Sequence, residues 1–213
     1  MTPERDVQIP AGNVSLPGDL TLPPEVSGLV IFAHGSGSSR RSPRNRLVAE
    51  TIGDAGLGTL LFDLLTPKEE FDRSNVFDIP LLATRLLAAT EWAQEETRRG
   101  PALGYFGAST GAAAALWAAA DLGTQVSAVV SRGGRPDLAG PRLGEVTAPT
   151  LLIVGENDRQ VLELNRDAQR ALRCPNELVV VPRATHLFEE PGTLEEVARL
   201  ATEWFVKYLR EAQ

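Results

Sequence analysis

Short runs of hydrophobic residues alternate with longer amphipathic segments along most of the chain. The runs are continuous in hydrophobicity, which is typical of strands that are buried on both faces of a sheet. Six strands are predicted in this way, at residues 28–33, 58–63, the stretch from Ala102 through Tyr105 and Phe106, 126–130, 150–154 and 177–181. Residues 6–22 alternate more loosely and predict a short antiparallel edge, with Pro17-Gly18 between two of its runs.

Between these strands, apolar residues recur at helical spacing. Helices are predicted from Ser42-Pro43 to about Asp54, from Pro80 to the stop at 98–101, over 112–120, through 162–172, and from Thr193, where residues 193–196 fit a capping box. The polar residues 66–75 are predicted as a loop. Strands and helices alternate at least five times, so the pattern predicts one α/β domain over residues 1–213, with a mainly parallel sheet and helices on both faces.

The sequence Gly107-Ala-Ser109-Thr-Gly111 lies between a predicted strand and the alanine-rich helix. A serine in such a tight strand-to-helix turn projects its hydroxyl beyond the sheet edge, and glycines are needed where a Cβ would strike a neighbouring element. The pattern is common by chance, but its position between strand and helix predicts a nucleophile elbow at Ser109.

A serine nucleophile requires a base within hydrogen-bonding distance, and the chain contains only His34 and His186. His186 follows the last predicted strand, and the chain order of nucleophile, acid and histidine that accompanies this elbow selects it. The alternative for either histidine is a structural hydrogen-bonding role.

The acid is expected after the strand that precedes the histidine strand, where the sequence reads Gly155-Glu-Asn-Asp158. We predict Asp158, with Glu156 and Asp63 as rival carboxylates. The alternative for a carboxylate in such a loop is a turn-forming or helix-capping role.

Ester chemistry also requires hydrogen-bond donors for the developing oxyanion. We predict the backbone N–H groups of Thr110 and Ser36, with His34 and Gly35 beside the substrate. A phosphate-binding loop is the alternative for residues 34–39, although the Gly-Lys-Ser/Thr signature is absent from that loop.

His34-Gly35, the elbow at Ser109, Asp158 and His186 together resemble the α/β-hydrolase superfamily over nearly the whole chain. Size, loop sequence and lack of insertions are most similar to the dienelactone hydrolase group and related small bacterial esterases. The resemblance implies ester hydrolysis by a Ser109–His186–Asp158 triad through an acyl-enzyme, without a cofactor. Dienelactone hydrolases proper use a cysteine nucleophile, whereas this chain has serine, so a carboxylic ester is the expected substrate class.

Many members of the superfamily insert a lid after the strand that ends near Val130. Only about 19 residues join that strand to the one beginning at Thr150, and several of them are glycine or proline. We therefore expect no cap or lid, an open and shallow site, and a preference for short acyl chains.

Seven arginines lie along the predicted site edge, at positions 40, 41, 44, 46, 132, 135 and 159. Most are interpreted as solvated loop arginines that pair with acids. Arg132 and Arg159 adjoin the proposed site and could orient an anionic substrate group.

The net charge of −7 argues against nucleic-acid or anionic-membrane partners, which require a basic surface. The single cysteine, Cys174, excludes an intrachain disulfide and a cysteine-based metal cluster, and no metal site is predicted. The polar N-terminus does not resemble a signal peptide, and a cytoplasmic monomer or homodimer acting on a small-molecule ester is expected.

The same triad also serves dienelactone-type lactone hydrolases, thioesterases, acyltransferases and peptidases, because the acyl-enzyme is common to them and only the acceptor or the acyl donor differs. A non-catalytic binding module on the same fold is an alternative of a different class.

Overall fold

The computed structural model describes residues 3–98 and 100–210. Within these residues, eight strands form one sheet in the order β1-β2-β4-β3-β5-β6-β7-β8. The strands are β1 (Glu4–Ala11), β2 (Val14–Thr21), β3 (Gly28–Ala33), β4 (Gly58–Phe62), β5 (Ala102–Ala108), β6 (Val126–Arg132), β7 (Thr150–Gly155) and β8 (Asn176–Val181). Six neighbouring strands, β4-β3-β5-β6-β7-β8, run parallel to one another, whereas β2 is antiparallel to both β1 and β4. The predicted mainly parallel sheet is confirmed.

Helices cover both faces of this sheet. They are α1 (Pro43–Asp54), α2 (Pro67–Glu70), α3 (Ile79–Glu96), α4 (Thr110–Leu122), α5 (Arg159–Ala171) and α6 (Thr193–Arg210), with 3-10 segments at Asn75–Phe77, Gly123–Gln125 and Pro136–Glu145. Helices α1 and α6 pack together on one face, and α3 packs against α4 on the other.

Alternation along the central strands produces a hydrophobic core on each side. In β3, Val30 and Phe32 belong to the cluster under α1 and α6, whereas Ile31 belongs to the cluster under α3 and α4. Every residue of β3, β4 and β7 is buried, which explains why these strands are continuously apolar in sequence.

The structure differs from three local predictions. The first hairpin turns at Gly12, where φ is 69°, and Pro17-Gly18 lies inside β2 instead of at a turn. The polar residues 66–75 contain the short helix α2, which a capping box between Thr66 and Glu69 stabilises. The capping box predicted at 193–196 does not form, because Thr193 lies inside α6 and its hydroxyl donates to the carbonyl of Glu190.

The carboxyl ends of the parallel strands form an open edge. Among residues 131–149, all of which the structure describes, the only regular element after β6 is the 3-10 segment Pro136–Glu145, which packs against α4 and α5. The absence of a lid is thus confirmed for the described chain. None of the described helices is both long and apolar enough to cross a membrane.

Candidate active site

Ser109 lies between the last residue of β5 and the first residue of α4. Its backbone is held at φ 51° and ψ −120°, a left-handed φ that is uncommon for a residue with a side chain. Three backbone hydrogen bonds fix this conformation: the Ser109 N–H donates to the Arg132 carbonyl at 3.2 Å, and the Ser109 carbonyl accepts from Ala112 and Arg135 at 3.1 Å each. The turn geometry is that of a nucleophile elbow.

The two glycines of the motif are required by close packing. A Cβ at Gly107 would lie 2.4 Å from the Cα of Ala112, and a Cβ at Gly111 would lie 2.1 Å from the carbonyl oxygen of Ala33. These contacts bring the start of α4 directly against β5 and against the end of β3. The sharp turn at Ser109 depends on this close approach.

His186 and Asp158 meet at the same edge. Nδ1 of His186 lies 2.6 Å from Oδ2 of Asp158, and the aspartate side chain is mostly buried. Asp158 occupies the N-cap position of α5 but makes no side-chain capping bond, so its carboxylate is directed to the imidazole instead. With the proton on Nδ1 donated to the carboxylate, Nε2 is left as an acceptor.

Gly133 connects His186 to the elbow. A Cβ at Gly133 would lie 3.5 Å from Nδ1 of His186, so the imidazole packs directly over this glycine. The backbone carbonyl of the preceding residue, Arg132, accepts a hydrogen bond from the N–H of Ser109. The serine turn and the histidine–aspartate pair are therefore adjacent on neighbouring strand ends.

The two rival carboxylates, Glu156 and Asp63, bind groups other than His186. Glu156 accepts the N–H of Arg183 at 2.8 Å. Asp63 accepts the N–H of Arg40 at 2.7 Å and pairs with its guanidinium at 2.5 Å. Asp63 thus anchors the end of the loop that follows β3 and is not directed at His186.

The loop after β3 packs against the elbow at Gly35, where a Cβ would lie 2.9 Å from the Cβ of Ser109. The Ser36 N–H donates to Oγ1 of Thr110 at 3.0 Å, so this predicted oxyanion donor is engaged by a side chain. Sequence analysis missed this role of the Thr110 hydroxyl. The Thr110 N–H lies at the first position of α4, where helical N–H groups have no intrahelical partner.

His34 is fixed by two hydrogen bonds, and its predicted contact with a substrate stays a prediction. Nε2 accepts the N–H of Leu64 at 3.0 Å, and Nδ1 lies 3.0 Å from the carbonyl of Gly35. Burial lowers the pKa of this imidazole, which favours the neutral form that both hydrogen bonds require. Both ring nitrogens are therefore used to fix the loop.

A shallow, half-open cleft lies beside this loop. The loop residues 34–37 and Thr110 form one side, and apolar side chains together with Glu70 form the other: Leu64, Leu65, Val76 and Leu82. Part of this wall comes from residues 66–77, which sequence analysis had predicted to be mostly a loop.

The arginines of the edge differ in burial and in ion pairing. Arg40, Arg44, Arg46 and Arg135 form ion pairs with carboxylates, as predicted, although the pair of Arg40 with Asp19 is largely buried and not solvated. Arg159 is exposed at the start of α5. Arg132 is buried, and its Nε and Nη1 atoms have no hydrogen-bond partner. Among the described residues, no group of three or more histidine, cysteine, aspartate or glutamate side chains is arranged to hold a metal ion.

The chain was compared with known proteins. No protein-family model matches it. Two Mycobacterium tuberculosis proteins, from strains CDC 1551 and H37Rv, are 62% identical over 208 residues and carry a provisional phosphoribosyl transferase name. The match covers 97% of this chain and 47% of each relative, so the chain spans about half the length of these curated relatives.

Solved structures give a full-length match. The crystal structure of a dienelactone hydrolase from Anabaena variabilis is 55% identical, with a TM-score of 0.95 and coverage of 98% of this chain and 99% of that one. An α/β serine hydrolase without a lid from Xanthomonas campestris shares the fold at 21% identity, with a TM-score of 0.77 and coverage of 98% and 96%. Sequence identity and full coverage with the first structure show that the chain belongs to the α/β-hydrolase superfamily and is a dienelactone hydrolase-like protein.

Proposed function

We propose that the chain is a serine carboxylesterase that hydrolyses short-chain esters of small molecules through an acyl-enzyme. The observation that carries this proposal is the 2.6 Å contact between His186 and Asp158 at the edge where Ser109 follows β5. Hydrolases and esterases with the same fold support it at the level of reaction class.

In the proposed mechanism, Oγ of Ser109 attacks the ester carbonyl while Nε2 of His186 accepts the serine proton. Asp158 holds the imidazole in the Nδ1–H form and stabilises the imidazolium that results. His186 then donates the proton to the leaving alcohol as the tetrahedral intermediate collapses to the acyl-enzyme. Water, deprotonated by His186, hydrolyses the acyl-enzyme, releases the acid and restores Ser109.

The oxyanion would be bound by the Thr110 N–H at the positive end of α4 and by the Ser36 N–H. The Ser36 amide donates to the Thr110 hydroxyl in the free protein, so we propose that it shares or exchanges this partner when the oxyanion forms. The developing negative charge favours this exchange, because hydrogen bonds to ionised oxygen are about twice as strong as those to neutral groups.

The central experiment is fluorophosphonate labelling of the native protein, followed by peptide mass spectrometry. We expect the label on Ser109, and we expect Ser109→Ala to lose the label and to reduce kcat for p-nitrophenyl acetate by a factor on the order of 10⁶. A native protein that takes no label would instead support a binding module on the same fold. Near-normal turnover by Ser109→Ala would overturn the mechanism.

Lactone hydrolysis, thioester hydrolysis and acyl transfer share the same acyl-enzyme. The Anabaena relative is named a dienelactone hydrolase, which makes a lactone the first alternative substrate to assay. Comparing release of acid with transfer of the acyl group to added alcohols separates hydrolase from acyltransferase activity.

The transferase name of the mycobacterial relatives requires a separate inference. Their match to this chain occupies about half their length, and the full-length Anabaena match is named a hydrolase. We therefore propose that phosphoribosyl transfer belongs to the half outside the match. An assay of this chain for phosphoribosyl transfer should be negative under conditions in which it hydrolyses esters.

A further inference from the structure

Arg132 ends strand β6 beside Ser109 and has no role in the proposed reaction. The Arg132 carbonyl accepts the Ser109 N–H at 3.2 Å, and the His186 imidazole packs against the next residue, Gly133. Ser131 faces α4, since a Cβ at Gly134 would lie 2.0 Å from the Ser131 hydroxyl oxygen and 2.7 Å from the Cβ of Ala112 in α4. Side chains alternate along a strand, so Arg132 extends on the opposite face, where Val130 packs with α1 and α6.

The Arg132 side chain is buried as a cation without a counterion. The residue is only 8% exposed, and both Nε and Nη1 are buried without a hydrogen-bond partner. No ion pair or side-chain hydrogen bond joins it to any residue within 3–98 or 100–210. Burial, together with the positive charge of Arg44, lowers its pKa to about 10, so the guanidinium is charged at neutral pH.

Arg85 shows how this fold treats a buried arginine that has a structural role. It is also 8% exposed, but its guanidinium pairs with Glu69 at 2.6 Å and donates to the carbonyl of Ala11. Removing a guanidinium from water without such partners is strongly unfavourable. A site that retains an uncompensated cation beside a nucleophile is expected to receive its counterion from a ligand.

A second guanidinium lies close to the first. Arg44 is the second residue of α1, its Nε is buried without a partner, and its Nη1 lies 3.6 Å from the largely exposed carboxylate of Glu189. The N-terminus of this twelve-residue helix adds partial positive charge at the same end. Of these two guanidinium groups, only that of Arg44 has a carboxylate within 4 Å among the described residues, and that carboxylate is largely exposed.

We propose that Arg132 and Arg44 bind a phosphate group carried by the ester substrate, on the side of Ser109 that faces α1. This assignment rests on the proposed esterase function and specifies its substrate class. A phosphate monoester carries a charge close to −2 at neutral pH and three acceptor oxygens, so it balances both guanidinium groups, whereas a carboxylate balances one. Nη2 of Arg132, unlike Nε and Nη1, is not fully buried, so a ligand can reach the guanidinium through this atom.

Binding is tested without turnover, so the result does not depend on the esterase mechanism. Inorganic phosphate is titrated into the Ser109→Ala variant while Tm is followed, with sodium chloride at equal ionic strength as the salt control. We expect phosphate to raise Tm, and we expect Arg132→Met or Arg44→Gln in the same background to abolish the rise. An equal rise with chloride, or an undiminished rise in both arginine variants, would overturn the subsite.

The matched control is Arg170→Gln, which removes one positive charge from an exposed position of α5. It should leave the phosphate effect intact. In phosphate-free buffer, Arg132→Met is expected to raise Tm, because it removes an uncompensated buried charge while keeping side-chain volume. A lower Tm for this variant would indicate a structural guanidinium and would contradict the proposal.

Turnover then tests the substrate class with three acetate esters: 1-acetylglycerol, 3-O-acetylglycerate and 1-acetylglycerol 3-phosphate. We expect kcat/KM to be about tenfold higher for the phosphate ester than for the neutral ester, and this ratio to fall towards one in Arg132→Met. An equal gain with the glycerate ester would assign a carboxylate in place of phosphate. Failure of all three esters together with phosphate binding to Ser109→Ala would refute the esterase proposal alone.

Discussion

Two residues of the site adopt local arrangements that their own chemistry does not favour. Ser109 holds a positive φ, which for a residue with a side chain costs about 1–3 kcal/mol. Asp158 sits at an N-cap without capping, although capping by aspartate contributes about 1 kcal/mol to helix stability. Such departures persist where surrounding contacts over-determine them, and here they place a hydroxyl and a carboxylate at one edge.

The role proposed for Asp158 predicts a large effect from a small change. Asp158→Asn keeps the side-chain size but removes the negative charge that orients and stabilises the imidazolium. We expect kcat for p-nitrophenyl acetate to fall by about 10³- to 10⁴-fold while Tm changes little. Steady-state kinetics and a thermal melt on the same preparation provide the measurement.

Glu156→Gln is the control for this substitution, since Glu156 lies two residues away and binds the Arg183 amide. Its kcat should remain within about threefold of the parent, as for most exposed substitutions. If the two variants lost activity equally, Asp158 would not be the acid of the triad.

At this scale, the sequence predicted the positions that chemistry restricts most. The small number of histidines selected His186 as the predicted base, the strand-end position selected Asp158 as the predicted acid, and the structure brings these two side chains together. The partner of the Ser36 N–H could not be predicted, because it depends on where α4 places the Thr110 hydroxyl. The burial of Arg132 had a signal, since it shares the strand parity of Ala128 and Val130, two buried residues.

The strand–turn–helix unit around Ser109 depends on contacts between backbones. Helix α4 is rich in alanine and nearly every residue in its first two turns is buried, which lets it pack closely on the sheet. Gly111 lies where α4 meets the end of β3, so the turn at Ser109 and the loop after β3 are in contact through this position. The geometry of the site is therefore coupled to the stability of the element.

Gly111→Ala is expected to destabilise the protein strongly, because its Cβ would lie 2.1 Å from the Ala33 carbonyl oxygen. Overpacking of this kind costs about 3 kcal/mol or more when the obstacle is backbone. Gly53→Ala is the matched control: Gly53 lies in α1, and a Cβ there meets nothing within 4 Å. This control should raise the free energy of unfolding by about 0.5–1 kcal/mol.

Urea denaturation of both variants and the parent measures the two effects. A Gly111→Ala protein with parental stability would show that the elbow relaxes more easily than its contacts indicate. A destabilised Gly53→Ala protein would show that the α1 backbone at this position is under a constraint other than space.

Elements with a strong hydrophobic periodicity could be predicted from sequence, whereas elements with a weak periodicity could not. Pro17-Gly18 reads as a turn, but Gly18 is needed inside β2, because a Cβ would lie 3.1–3.2 Å from side chains of Val7, Ile9 and Phe62. Helix α2 has no buried residue and therefore no hydrophobic periodicity to reveal it. Its stability comes from the Thr66–Glu69 capping box, a local signal that is easily masked by surrounding polar residues.

At the scale of the whole molecule, no lid in the described part of the chain covers the edge where the parallel strands end. Between β6 and β7, the described chain passes along α4 and α5 instead of crossing the strand ends. The cleft beside the loop after β3 is shallow, and Val76 and leucines of neighbouring segments form its apolar side. A shallow cleft can bury only the first few methylenes of an acyl chain, and no lid in the described chain shelters the rest of a longer chain from water.

We therefore expect hydrolysis of p-nitrophenyl acetate or butyrate to exceed that of the palmitate, measured as kcat/KM below the aggregation limit of each ester. Val76→Ala should move the optimum towards longer chains, raising the octanoate-to-acetate ratio by about threefold to tenfold, since each buried methylene is worth about 0.8 kcal/mol. Val206→Ala in α6, on the opposite face of the sheet, removes the same methylenes away from the cleft and should leave the ratio unchanged. Faster turnover of the palmitate by the parent protein, or an equal shift in both variants, would show that this cleft does not receive the acyl chain.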